Sequence, residues 1–162
     1  MLTRELVSHW LLLAFLGVIA TEPFAQTTST PEERVHWAEI THKLENSPLD
    51  ADVNREGENA LRRVMEVKDF HVPLCPALLT DLNSMSNYIY SHTITRQFML
   101  ATAAFLIENP SKVDDRDAMN LAALESVLKT YNSILQQKPN AKTKILDELL
   151  QTQKKGGPRK IR

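Results

Sequence analysis

Residues 77–108, ALLTDLNSMSNYIYSHTITRQFMLATAAFLIE, hold the reading on which the fold depends. Between positions 82 and 107 the only formal charge is Arg96, in a chain that is 24% charged, so this stretch belongs inside the protein. Leu78, Leu82, Met85, Ile89, His92, Arg96, Met99, Ala103 and Leu106 recur at threes and fours along one helical stripe, and residues 98–107 are apolar on nearly every face. The pattern predicts one long central helix. At about 1.5 Å per residue a continuous helix of this span is roughly 48 Å long, comparable to the width of a domain this size, which marks residues 91–93 as the place for a break.

The rest of the chain supplies shorter helices to cover it. A chain of 162 residues, 43% hydrophobic, buries roughly two-thirds of its unfolded surface when it folds as one domain. Only four glycines occur and no β-branched alternation marks a strand, so the expected fold is all-α, a single-domain bundle of about five helices. Thr30, Pro31 and Glu33 make a capping box with proline at the first turn, opening a helix to about Glu45 whose inner face uses Val35, Trp37 or Ala38, Thr41 and Leu44. Ser47 and Pro48 repeat that start for a second helix carrying Leu49, Val53, Ala60, Leu61, Val64 and Val67, softened at Gly57 by about 1 kcal/mol relative to alanine. Pro110 ends the central helix. Asp114, Asp115 and Asp117 suit the first turn of the next, where Leu121, Leu124, Leu128, Tyr131 and Leu135 give an amphipathic repeat stopped by Pro139. Asn140 is placed to cap a last helix bearing Ile145, Leu146, Leu149 and Leu150. No repeat of about 34 residues is sustained, so a solenoid is not expected.

The two ends read differently from the body. Arg4, the apolar run at residues 10–20 and the polar exit after it have the layout of a secretory signal peptide over residues 1–25, with cleavage after Ala20 or Ala25. An apolar core of 11 residues falls well short of the roughly 20 that span a bilayer, so the expectation is export to a periplasm or the extracellular space, with no transmembrane segment after cleavage. The helical domain then occupies residues 26–155, and the basic residues 156–162 form a tail expected to be disordered. The formal charge is −1, with a weakly acidic body ahead of that tail, which is not the footprint of a nucleic-acid-binding domain. Cys75 is the single cysteine, so stability comes from packing and not from an internal disulfide.

Four groups of residues invite a chemical reading. Asp50, Asp52 and Asn54 open like a calcium loop, but Arg55 stands where the sharp turn needs glycine and Leu61 where a bidentate glutamate is required, so an acidic first helical turn is the better account. His71, Cys75 and His92 have the residue types of a nucleophile with its base or of three metal ligands, and Cys75 precedes a helix start that would lower a thiol pKa. No local motif accompanies them, and a buried small thiol beside a loop histidine is the better account. His92 and Arg96 share a face one turn apart. A buried guanidinium must be paired, so Arg96 is expected to reach a carboxylate from another helix, the alternative being a pocket for a small anion. His36 and His42 do not share a helical face and make a poor metal pair, and Trp37, Tyr88, Tyr90 and Phe105 sit where aromatics build core.

No catalytic, cofactor or metal signature emerges. The expected function is that of an exported, non-enzymatic interaction or binding protein with a protein partner in the cell envelope or extracellular space; the alternatives are a thiol-dependent enzyme using Cys75 and His71, and an anion-binding bundle with its pocket at His92 and Arg96.

Overall fold

The computed structural model describes residues 28–76, 80, 82 and 84–154. The signal-peptide reading of residues 1–25 and the tail at residues 156–162 lie outside them. The described residues form an all-α bundle of five helices, α1 (Pro31–Asn46), α2 (Ala51–Glu66), α3 (Ser91–Glu108), α4 (Arg116–Gln137) and α5 (Lys144–Lys154), with a short 3-10 turn at Pro110–Lys112. No helix among them is long and apolar enough to cross a membrane.

Three of the helices, α1, α2 and α4, start where a side chain satisfies free N–H groups of the first turn, whereas α3 starts after Tyr90 without a side-chain cap. Thr30 caps α1, and the reciprocal bonds of its capping box are present at 3.2 Å and 2.9 Å. Asp50, not Ser47, caps α2: its carboxylate accepts from the N–H groups of Asp52 and Val53, while Ser47 closes α1 and residues 47–50 make the turn between. Asp115 caps α4 through the Ala118 N–H, with Asp117 in the first turn. The last helix begins at Lys144, four residues beyond Asn140.

The central helix is shorter than the apolar stripe suggests. Residues 84–90 are turns, and helix resumes only at Ser91, so Ile89 is 83% exposed instead of lying on a buried face. The cause is local: Ser84, Ser86 and Asn87 carry side chains that compete with helical hydrogen bonding, and successive turn bonds from Met85, Tyr88 and Ser91 replace the helical ladder. The remaining part, α3, is the buried centre. It packs against α1, α2 and α4, and Ile94, Phe98, Leu100 and Ala103 are essentially inaccessible. On one side Phe98 and Ala101 meet Ala123, Val127, Tyr131 and Ile134 of α4, while on the other Leu100 and Ala103 meet Trp37, Ile40 and Leu44 of α1 with Ala60 and Val64 of α2. Val35, expected on the inner face of α1, is 54% exposed because Trp37, Ile40 and Leu44 define that face.

Gly57 marks a close approach and not a soft spot. A Cβ there would lie 2.7 Å from Leu44 Cδ1 and 3.4 Å from Arg96 Nε, so its absence lets α2 sit tightly against α1 and α3.

A tyrosine cluster ties the ends of the bundle together. The Tyr131 hydroxyl donates to Asp147 at 2.8 Å and accepts from the Thr143 N–H, and Tyr88 donates to the Ala141 carbonyl at 3.0 Å. Burial pushes the Tyr131 phenol up to about 12 and raises Tyr88 as well. At the opposite end, the Arg63 guanidinium, with the Thr30 N–H, holds Glu33 below the usual carboxylate range, and the Ser29 N–H does the same for Asp69. The signs are opposite. Lowered carboxylates stabilise the fold at neutral pH and lose that contribution as pH falls through their range, whereas raised phenols keep theirs below about 10 and lose it above. The thermal midpoint is therefore expected to fall at both extremes, and Tyr131→Phe to flatten the alkaline limb relative to the parent chain in melts at stepped pH.

Candidate functional site

Among the described residues Arg96 is the most deeply buried cation, 3% exposed, and both of its terminal nitrogens are engaged. Its Nη1 lies 2.6 Å from Glu58 Oε1 and within reach of the Asn54 carbonyl, and Nη2 donates to the Asn54 side chain; only Nε has no partner. The expectation of a carboxylate from another helix is met by α2. His92 stands at the outer edge of the cluster, its Nδ1 3.5 Å from the same Glu58 oxygen. Asn54 also bonds back to Pro48 and Asp50, and Asp52 pairs with Arg55 at 2.8 Å, so the residues that resemble a calcium loop cap and brace a helix. This arrangement has the chemistry of an internal lock: the guanidinium charge is already met.

The other candidates separate. His71 is exposed and lines an apolar cleft, whereas Cys75 is a half-buried free thiol packed with Leu74 against the cluster around Leu82, Met85 and Phe98. Among the described residues no three His, Cys, Asp or Glu side chains are placed to hold a metal ion, which separates His71, Cys75 and His92 as a ligand set. His36 is exposed on α1, and His42 pairs instead with Glu108 at 2.7 Å and Glu45 at 3.6 Å. Both imidazole nitrogens of His42 thus face carboxylates.

Two concavities are formed by the described residues. The smaller, about 130 Å³, lies where α1, α3 and α4 meet; Ala101, Ala104 and Ala122 hollow it out, and Glu45, Glu108, Glu125 and Lys129 ring it. Beneath it Gln97 donates to the Thr41 carbonyl at 3.0 Å and to Ser126 Oγ at 2.7 Å, tying α3 to both neighbours. Glu45 is held by Lys129 at 3.2 Å, so much of this polarity is used internally.

The larger cleft, about 310 Å³, opens between α2, the extended segment at residues 67–74 and α3. Leu61, Val64 and Met65 form one wall, Val67, Phe70, Val72 and Leu74 the other, Met99 closes the end, and among the described residues His71 is the only polar lining side chain. Its position follows from the core. Val64 and Val67 turn inward onto Trp37 and Leu100, which leaves Leu61 and Met65, one turn apart, beside them on α2, Leu61 partly buried and Met65 68% exposed. Phe70 is fixed from behind by Trp37, ring centroids 5.8 Å apart, and by the Arg34 guanidinium 5.2 Å above its ring.

No protein-family model matches this chain, and no similar curated protein or solved structure was found. The site is therefore read from its own chemistry. The sequence places Leu61 and Met99 on apolar faces, but Met65 and Phe70 are absent from its stripes; the signal for Met65 was its place four residues after Leu61, on the same side of α2.

Proposed function

We propose that this protein is a small exported helical binding module that holds an apolar group in the cleft between α2, residues 67–74 and α3, and that it is not an enzyme. One observation carries the reading: a concavity at the lower end of the size range of small-ligand sites whose lining is apolar except for His71. Two flexible thioethers, Met65 and Met99, suit a surface that accommodates apolar groups of differing shape. No hydrogen bond joins Cys75 to His71 among the described residues, so the thiol-enzyme alternative has no contact to support it, and the Arg96 guanidinium of the anion-pocket alternative is paired with Glu58. Export rests on the leader-like residues 1–25.

Titration of the full chain with an anilinonaphthalene sulfonate dye tests the reading. Wild type should bind the dye saturably at one site, and Met65→Glu should weaken it at least about tenfold, because a carboxylate at the lip must be desolvated by the bound group. Met65 is 68% exposed, so this substitution should leave the thermal midpoint nearly unchanged. Equal affinity of the two proteins, or no saturable binding by the parent, would contradict the proposal.

A further inference from the structure

The fold divides the methionines among its described residues into two classes. Met85 and Met119 are 4% and 1% exposed and belong to the core. Met65 is 68% exposed and Met99 half-buried, and both line the apolar cleft. Thioether oxidation follows access to sulfur, and its product converts a flexible apolar side chain into a polar, chiral one. A site that relies on an exposed thioether for its apolar lip is therefore sensitive to oxidants by construction.

We propose that Met65 is an oxidation site through which peroxides close the cleft to apolar ligands. This rests on the reading of the cleft as a binding site. In the step itself a lone pair of the Met65 sulfur attacks one peroxide oxygen, the O–O bond breaks and an S–O bond forms. The departing hydroxide takes up the proton left on the transferred oxygen and leaves as water. Sulfur is oxidised by two electrons and the peroxide reduced by two. The sulfoxide oxygen then needs a hydrogen-bond donor; among the described lining side chains His71 carries one, and Leu61, Val64, Val67, Phe70 and Val72 offer none. The oxidised side chain either turns to water or His71, removing the apolar lip, or stays and places a polar acceptor against the ligand. Both outcomes weaken an apolar occupant. Reduction of the sulfoxide by a methionine sulfoxide reductase restores the original surface, which makes the change reversible.

The test exposes the full chain to graded hydrogen peroxide, follows each methionine by peptide mass spectrometry, and titrates each sample with the same dye. Met65 should gain one oxygen first, Met99 next, and Met85 and Met119 last. Dye affinity should drop at least about tenfold in step with the Met65 sulfoxide fraction and return after treatment with the reductase. Met65→Leu, measured against its own untreated affinity, should lose none of it through a peroxide dose that oxidises only Met65 in the parent chain. Oxidation of Met65 no faster than Met85 or Met119 would overturn the proposal, as would full conversion of Met65 with unchanged dye affinity. An untreated chain that binds no dye refutes the cleft reading itself and this proposal with it, so the two failures are told apart by the untreated sample.

Discussion

Glu58→Ala should cost about 2–3 kcal/mol of folding stability while Arg96→Met costs less than about 1 kcal/mol, although both break the same ion pair. The asymmetry follows from where each partner sits. The Arg96 side chain is 3% exposed and Glu58 39%, so losing the carboxylate strands a charge in the bundle, whereas losing the guanidinium frees a carboxylate that water already reaches. Removing one partner of a fully buried pair typically costs 3 to 5 kcal/mol, roughly; the smaller figure reflects the exposure of Glu58 and the two Asn54 oxygens that still accept from Arg96. Methionine fills most of the volume that arginine leaves beside Leu44 and Gly57. The double variant should resemble Arg96→Met alone. Urea unfolding midpoints at constant slope measure all three, and a Glu58 variant no less stable than the Arg96 variant would show that the pair is not a buried lock.

Phe98→Ala should cost about 3–5 kcal/mol, and Ile89→Ser should change stability by no more than about 0.5 kcal/mol. On the sequence both residues belong to the same apolar stretch. In the fold Phe98 is 1% exposed among α4 side chains, and its truncation leaves a cavity that Ile94, Val127 and Tyr131 cannot collapse into without leaving their own contacts. Ile89 is 83% exposed in the turn before α3. A large loss for Ile89→Ser would restore the uninterrupted central helix that residues 84–90 break.

That pair of residues shows what the sequence disclosed and what it withheld. Helix starts at Thr30 and Asp115 were legible because a cap is a contact within three or four residues. Periodicity could not reveal the turn at residues 84–90, since Met85 and the aromatic pair Tyr88 and Tyr90 keep the apolar count high while facing the core from turns. The need for a partner at Arg96 was legible from one charge in an uncharged helix; its identity was not, because Glu58 lies 38 positions away and is one of many surface acids. The cleft was less legible still. It exists only where Leu61, Phe70 and Met99, from three separate segments, stand around one gap.

The central claim is that this gap takes an apolar group, and methionine-methyl NMR of the full chain during a titration with the naphthalene dye reads it most directly. Occupancy of the cleft requires the Met65 and Met99 methyl resonances to shift together and saturate while those of Met85 and Met119 hold still. Shifts confined to Met85 and Met119, or spread equally over all four, would place the dye elsewhere and contradict the account.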